Sequence, residues 1–237
     1  MEIQMNNIKQ GKNGPFVDLY PDSGYDPTEY ERPGVTVDTC ICRIHKGKLQ
    51  IYLVQREDGQ LAIPGVFVRV KDREDIDTAA ARTLASKVNI SDNTCIRQLA
   101  TYGDPDRDAR WRIITIVYYS LVRYEDTLET NESNWVNIND AEGLAFDHDD
   151  IINELLDRLA SNIKYEPIVF ELLPECFTWS EAQVVYEEIL NSTLTSPNFR
   201  RKISAQYVLE ELEEKKKLDK GRPAGLLRFV DIRNPFE

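Results

Sequence analysis

The sequence lacks any apolar run long enough to cross a membrane. Its longest apolar stretch, residues 113–122, is strand-sized and contains Thr115 and Ser120. The start, MEIQMNNIKQGKNG, has no apolar segment typical of a signal peptide. There are only two histidines and four cysteines, and no zinc-binding pattern is present. These absences predict a protein without membrane spans or structural zinc, and four scattered thiols favour the reducing cytoplasm.

The formal net charge of −12 argues at first against nucleic-acid binding, which depends on the neutralisation of phosphates. The charge is unevenly distributed, however. Residues 1–164 carry 19 basic and 28 acidic residues, whereas residues 198–222 carry eight Lys or Arg against five Asp or Glu. A local positive surplus in an acidic chain predicts one confined DNA-binding face in the carboxyl-terminal part.

The 237 residues allow one large domain or two small ones, and the hydrophobic content of 41% is ordinary for a globular protein. Residues 1–33 are polar and rich in Gly, Pro and Asp, which predicts an irregular amino-terminal arm. Alternating β-branched residues predict a hairpin over residues 34–55, and Ala-rich spacing predicts a helix over residues 74–88. The order of elements predicts an α+β domain, an α/β/α sandwich over residues 34–163, followed by a second domain over residues 164–237.

Residues 64–90 resemble the Nudix family signature. That signature is a glycine, five residues, Glu, seven residues, and then R-E-U-x-E-E-x-G-U, where U is aliphatic. The run P-G-V-F-V from Pro64 resembles the family's P-G-G-F-V, and Glu74 and Arg82 keep the family spacing. After Arg82 the pattern is lost. The three acidic positions that follow are occupied by Thr83, Ser86 and Lys87.

The lost acidic residues bear directly on catalysis. Residues 83, 86 and 87 are spaced to share one helix face, where carboxylates would bind Mg²⁺ for pyrophosphate hydrolysis. Hydroxyls at Thr83 and Ser86 are poor substitutes, and Lys87 adds a positive charge. The sequence therefore predicts a Nudix fold that binds a ligand without hydrolysing it, with no metal and no cofactor. The alternatives are an ordinary amphipathic helix, or an active hydrolase of ADP-ribose or another nucleoside diphosphate derivative that holds a metal through Glu74 and a neighbouring aspartate.

Several arginines and one aromatic residue are predicted to form a ligand pocket. The loop GDPDRDARWR and the following strand IITIVYYSLV resemble a loop and strand of Nudix-related transcriptional regulators. Arginine offers planar donors for phosphate or vicinal hydroxyls. The alternative is that these arginines are solvated and pair with Asp104, Asp106 and Asp108. The residues predicted to bind the ligand are Arg56, Phe67, Arg69, Arg82, Arg107, Arg110 and Arg112.

The carboxyl-terminal part carries the local signals of a helix-turn-helix. Thr178 and Glu181 form a capping box, and Ser196-Pro197 predicts the start of a second helix. The outward face of that second helix is polar and basic, which suits a major groove. A basic turn and the alternating strand LLRFV follow, as in a wing. The residues predicted to bind DNA are Asn198, Arg200, Arg201, Lys202, Lys215, Lys216, Lys217, Lys220 and Arg222.

Three spaced motifs, F-E-L-L-P-x-x-F-T, N-F-R-R-K and G-R-P-A-x-L-x-R-F, make residues 170–232 closely similar to the winged helix of Nudix-related transcriptional regulators, the NrtR-like family. The resemblance implies a cytoplasmic homodimer that represses or activates transcription by binding a double-stranded DNA operator. It also implies that the Nudix domain senses a small effector: ADP-ribose, a related NAD metabolite, or a sugar such as arabinose. The number of arginines favours a phosphorylated effector. An oligomerisation protein that does not bind nucleic acid is a further alternative.

Overall fold

The protein is described by a computed structural model. The residues described are 8–17, 24–88, 94–217 and 223–233. By its contacts the chain divides into two compact units, Met1–Gly34 and Val35–Glu237. No helix in the described part of the chain combines the length and the hydrophobicity needed to cross a membrane.

The elements follow one another along the chain. The strands are β1 (Ile8–Gly11), β2 (Gly14–Val17), β3 (Gly34–His45), β4 (Lys48–Tyr52), β5 (Val54–Gln55), β6 (Leu61–Ala62), β7 (Gly65–Phe67), β8 (Ile96–Tyr102), β9 (Ile113–Leu121), β10 (Trp135–Asn137), β11 (Cys176–Phe177), β12 (Tyr207–Lys216) and β13 (Ala224–Ile232). The helices are α1 (Ile76–Ala85), α2 (His148–Asn162), α3 (Val169–Leu172), α4 (Trp179–Leu190) and α5 (Ser196–Gln206).

The first unit contains a short hairpin rather than only irregular chain. β1 pairs with β2 in antiparallel register, and Gly14 supplies a positive φ of 134° where the chain turns back. Asp26 supports the turn, because its carboxylate accepts hydrogen bonds from the backbone N–H groups of Lys12 and Thr28. The prediction of an irregular arm was therefore wrong for residues 8–17.

The second unit is built on a six-stranded sheet with the strand order β10-β4-β3-β9-β8, in which β7 also pairs with β3. Alternate residues of β3 face opposite sides of this sheet. Cys40 and Cys42 belong to the core that includes α2, whereas Val37 and Ile41 pack with residues of α1. Helices thus cover both faces, and the predicted α/β/α sandwich is confirmed.

Helix α1 is shorter than the sequence predicts. It begins after Asp75, whose side chain caps Thr78 N, and it ends before Ser86. Thr83 is fully buried, and its hydroxyl donates to the carbonyl of Ala79 at 2.9 Å. The signature spacing predicts that residues 83, 86 and 87 share one helical face. They do not, because α1 ends between residues 83 and 86.

The carboxyl-terminal part folds as a winged helix, with α4 and α5 packed on a three-stranded sheet of order β11-β13-β12. Phe170 of α3 stacks on Phe229 of β13, with ring centroids 4.3 Å apart. One continuous apolar core joins these helices to the central sheet and α2. The turn between β3 and β4 also contacts α4, since Glu188 accepts hydrogen bonds from Lys48 Nζ at 3.1 Å and Leu49 N at 3.3 Å. The boundary at residues 163 and 164 stays a prediction.

Two features of the winged helix differ from the sequence-based expectation. β12 was not predicted, because YVLEELEEKK has the composition of a helix. It nevertheless pairs with β13 along most of its length, with two register shifts. The N-cap position of α5 is Thr195 rather than Ser196, and its side chain makes no capping hydrogen bond. Pro197 lies in the first turn, where its missing N–H costs nothing.

Candidate functional site

A cavity of about 210 Å³ opens beside the amino-terminal half of β3. Whole drug-sized ligands usually occupy sites of about 300–1,000 Å³, so this cavity fits one moiety of a larger ligand. Its walls come from β3, β5, β6, β7, the loop before β9, and the start of α2. The lining residues are Thr36, Asp38, Val54, Arg56, Ala62, Ile63, Gly65, Val66, Phe67, Arg107, Asp108, Arg110, Ile113, Phe146 and His148.

The floor of the cavity is a buried polar cluster. Arg107 donates to both carboxylate oxygens of Asp147, at 2.8 and 2.7 Å. Asp38 Oδ2 accepts a hydrogen bond from the Thr115 hydroxyl at 2.7 Å and lies 3.9 Å from Arg107 Nη2. Burial raises the pKa of Asp38 to about 6, although the Thr115 hydrogen bond and Arg107 act in the opposite direction. Gly65 leaves room for the Asp38 carboxylate, since a side chain at this position would collide with it.

His148 stands next to this carboxylate in a single tautomer. Its Nδ1 accepts a hydrogen bond from the backbone N–H of Ile63 at 2.9 Å, so the proton of the neutral ring is on Nε2. Burial lowers the pKa of His148 to about 4, and the ring is therefore neutral at physiological pH.

The rim of the cavity is aromatic and cationic. The guanidinium groups of Arg56 and Arg110 lie 4.4 and 5.4 Å from the ring centroid of Phe146. Phe146 has a positive φ of 62°, an uncommon conformation for a bulky residue, which indicates that its surroundings hold it there. Each arginine also pairs with an acidic neighbour, Arg56 with Asp58 at 3.0 Å and Arg110 with Asp108 at 2.7 Å. The rim arginines are thus held in place by carboxylate partners.

The structure brings four of the seven predicted ligand residues to the cavity: Arg56, Phe67, Arg107 and Arg110. The other three lie outside its lining. Arg82 pairs with Glu74 at 2.6 Å and donates to the Phe67 carbonyl at 3.1 Å, so it holds the loop that carries Phe67. Arg69 and Arg112 are exposed at the surface.

The sequence-based prediction missed Asp38, Phe146 and His148. Asp38 could have been found as a charged residue within an otherwise apolar alternating strand, which is costly unless the residue has a specific partner or role. His148 was not among the residues predicted to bind the ligand. Nothing in the sequence around Phe146 indicates its left-handed backbone conformation, which depends on contacts distant in the chain.

The region of the Nudix signature shows no arrangement suited to metal. Within the described ranges, no group of three or more His, Cys, Asp or Glu side chains is placed to hold a metal ion. Glu74, which the hydrolase alternative needs as a ligand, is bound by Arg82, and this hydrogen-bonded pair holds the pKa of Glu74 at about 2.

The second candidate surface is the outer face of α5 with the β12–β13 hairpin. Asn198, Arg201 and Lys202 are exposed on α5, opposite the buried Phe199 and Ile203. None of these three polar side chains forms an ion pair or hydrogen bond with another described residue. The face therefore presents an amide and two cations near a helix amino terminus, as a recognition helix does.

The remaining predicted DNA contacts have different environments. Arg200 lies over the Trp179 ring, 5.6 Å from its centroid. Lys215 and Lys217 are exposed, whereas the ammonium of Lys216 pairs with Glu181 at 2.5 Å. Two further predicted contacts, Lys220 and Arg222, lie outside the described residues.

Comparison with other proteins identifies relatives of both halves. The NrtR DNA-binding winged helix domain matches residues 169–229. The ADPR-responsive transcriptional repressor NtrR of Acinetobacter baylyi is 34% identical over 216 residues, which cover 87% of this chain and 86% of that protein. NrtR of Shewanella oneidensis, in its crystal structure with a 27mer DNA, matches with a TM-score of 0.73 and 29% identity, over 84% of this chain and 99% of that chain. An ADP-ribose pyrophosphatase of Methanocaldococcus jannaschii is 29% identical over 134 residues, 54% of this chain and 75% of that protein.

The extent of these matches agrees with the fold. The winged-helix match runs from α3 into β13, and the similarity to the Acinetobacter repressor covers most of the chain. The resemblance predicted from the three carboxyl-terminal motifs is confirmed. The chain belongs to the NrtR family of transcriptional regulators, in which a Nudix-fold domain is joined to a carboxyl-terminal winged helix.

Proposed function

We propose that this chain is a homodimeric transcriptional repressor that binds double-stranded DNA through α5 and the β12–β13 wing, and that ADP-ribose bound in the cavity controls this binding. The observation that carries the proposal is the outer face of α5, where Asn198, Arg201 and Lys202 are exposed and unpaired among the described residues. Two relatives support it. The Shewanella NrtR is known in complex with DNA, and the Acinetobacter relative is an ADPR-responsive transcriptional repressor. In this proposal residues 34–163 bind the effector and residues 164–237 bind DNA.

The rim of the cavity supports an effector that carries phosphate. In each of the pairs Arg56–Asp58 and Arg110–Asp108 the carboxylate accepts from Nε and Nη2, so the arginine's Nη1 has no partner among the described residues and can donate to a diphosphate. Phe67, half-exposed beside the cavity, offers a ring face on which an adenine could stack.

We further propose that the chain does not hydrolyse its effector. Three acidic positions of the Nudix signature hold Thr83, Ser86 and Lys87, and the remaining Glu74 is paired with Arg82. Thr83 is buried, and its hydroxyl donates to the carbonyl of Ala79 within α1, so it does not face a ligand. Bound ADP-ribose would then act only by favouring one arrangement of the winged helices over another, with a coupling free energy of about 1–3 kcal/mol.

The test measures DNA affinity with and without effector. An operator duplex is selected from the region upstream of the gene, and its affinity is measured by fluorescence anisotropy with ADP-ribose or arabinose present. We expect ADP-ribose to change the affinity about 5–150-fold and arabinose to leave it unchanged. Arg56→Ala should abolish the response, whereas the matched control Arg112→Ala should retain it, because Arg112 is exposed outside the cavity. A response to arabinose alone, or none to either compound, would contradict the proposed effector.

A further inference from the structure

Strand β3 connects the cavity to the winged helix. Near its start, Thr36 and Asp38 line the cavity. The strand continues to His45, and the turn that follows it contacts α4 of the winged helix. At about 3.3 Å per residue, roughly 25 Å of one strand separates Asp38 from that turn. A shift of β3 at the cavity therefore reaches the winged helix without passing through an intervening loop.

The turn is fixed to α4 by one partly buried carboxylate. Glu188 Oε2 accepts from the ammonium of Lys48 at 3.1 Å, and its Oε1 accepts from the backbone N–H of Leu49 at 3.3 Å. The Glu188 side chain is only 14% exposed, so it is costly to leave without partners. Beside it the backbones approach closely, because a side chain at Gly47 would come within 3.2 Å of a methyl group of Val184. These contacts tie a displacement of the turn to α4.

Helix α4 is in turn joined to both parts of the proposed DNA-binding face. The Gln183 amide donates to the carbonyl of Leu194 at 2.9 Å and accepts from the hydroxyl of Ser196, the first residue of α5, at 2.8 Å. Glu181 pairs with Lys216 at the end of β12. The side chains of α4 thus connect the β3–β4 turn to the recognition helix and to the wing.

We infer that Glu188 transmits the state of the cavity to the DNA-binding face, because it holds the β3–β4 turn on α4. The inference rests on the proposed function for the existence of an effector, and it adds the residue through which effector and operator act on each other. Glu188 lies on α4, outside the cavity lining, so it is a positioning residue. Coupling between two sites is reciprocal, so the same contact also carries the effect of bound DNA back to the turn.

Two changes at Glu188 distinguish transmission from simple stabilisation. Glu188→Ala removes both hydrogen bonds to the turn, whereas Glu188→Gln keeps an oxygen that accepts from the backbone N–H of Leu49. The matched control is Glu154→Ala, which removes another helical carboxylate and its ion pair with Arg158 without touching the turn. A contact that only stabilised the fold would lower the thermal stability and leave the coupling between the two sites unchanged.

A second pair of variants tests the contact from the side of the turn. Lys48→Glu places a carboxylate beside Glu188, so that the turn and α4 repel each other. Lys48 is exposed, so this variant keeps the test available if Glu188→Ala does not fold. Its control is Lys46→Glu, because Lys46 is exposed on the same turn and its ammonium has no ion-pair partner among the described residues. Both reversals change the net charge equally, so long-range effects on DNA binding are matched.

Fluorescence anisotropy gives the operator affinity of each variant with and without ADP-ribose. The ratio of the two affinities should stay within about 5–150-fold in the unmodified chain, in Glu188→Gln and in both controls. In Glu188→Ala and Lys48→Glu it should fall below about threefold, while each ligand alone binds within about fivefold of its affinity for the unmodified chain. A ratio that is retained in folded Glu188→Ala or Lys48→Glu, or operator binding that is lost altogether, would overturn the inference.

Hydrogen exchange of the turn, measured on a peptide that covers residues 44–52, needs no effector. Addition of operator DNA should change its exchange rate at least about threefold in the unmodified chain and in Lys46→Glu, and less in Lys48→Glu. No change in the unmodified chain, although ADP-ribose alters its DNA affinity, refutes the inference and leaves the effector standing. A change in exchange without any response to ADP-ribose refutes the effector and leaves the inference standing. An unmodified chain that binds no operator refutes both.

Discussion

Replacing Asp38 and, separately, His148 should reveal two opposite pH dependences of stability that cancel in the unmodified chain. Burial is the main cause of both pKa shifts, so each shift should persist when the other residue is changed. On folding, the pKa of Asp38 rises from its ordinary value of 3.8 to about 6, and the pKa of His148 falls from 6.5 to about 4. Each pKa change of about two units corresponds to about 3 kcal/mol in the free energy of unfolding, at ~1.4 kcal/mol per pKa unit.

The signs follow from proton binding. Because the folded-state pKa of Asp38 is raised, between pH 4 and 6 the folded state binds more protons at this residue, and its contribution to stability is lost as the pH rises. The folded-state pKa of His148 is lowered, so over a similar range the unfolded state binds more protons and stability is gained as the pH rises. The two contributions nearly offset each other.

Urea denaturation followed by tryptophan fluorescence, at pH 4.0 to 7.0, measures the effect as a difference from the unmodified chain. The stability of Asp38→Asn should rise relative to the unmodified chain by about 3 kcal/mol across this range. That of His148→Asn should fall by about the same amount. Taking differences removes the titration of the many other carboxylates, and Asp157→Asn serves as the control. Differences that are flat with pH for both variants would refute the assigned shifts.

Four further predictions concern the DNA face, assembly and chemistry. Arg201→Ala should weaken operator binding by about 1–3 kcal/mol, roughly 5–150-fold, and relax discrimination at one base pair, whereas Arg112→Ala should change neither; anisotropy against operator and mutated duplexes decides this. Lys217→Ala should reduce the slope of log affinity against log salt by about one, and Lys216→Ala by less, because the Lys216 ammonium is already paired with Glu181. Light scattering should give twice the mass of one chain, since winged helices usually bind paired half-sites, and a stable monomer with and without DNA would contradict the model of repression. With Mg²⁺ or Mn²⁺ the protein should not turn over ADP-ribose, NADH or diadenosine polyphosphates; a rate near ~1 s⁻¹, the low end for enzymes, would show an active hydrolase.

Local sequence signals determined most of the winged helix and of the central sheet. The capping box of Thr178 and Glu181 is present, with both reciprocal hydrogen bonds. The apolar stripe that follows it is buried, and the β3–β4 hairpin lies where the alternation of β-branched residues indicated. These features follow from interactions within a few residues, for which periodicity and capping are direct evidence.

Tertiary structure decided the features that depend on distant residues. β12 is a strand, although its Glu, Lys and Leu favour a helix, because pairing with β13 outweighs the weak intrinsic preference of each residue. Tertiary structure also decided which of the predicted arginines lie at the cavity. Arg107 is held there by Asp147, forty residues away in the chain, whereas Arg112 is exposed to solvent.

The cavity floor shows most clearly which contacts could not be predicted from the sequence. Asp38 and His148 are 110 positions apart, and neither belongs to a motif that the sequence displays. They meet only because β3 and the start of α2 converge on the cavity, where Gly65 of β7 leaves room for the carboxylate. The sequence by itself determined the fold family and the polarity of each surface. Which side chains line the cavity, and which donor lies beside which acceptor, was decided by tertiary packing, because that packing brings together side chains that no local pattern relates.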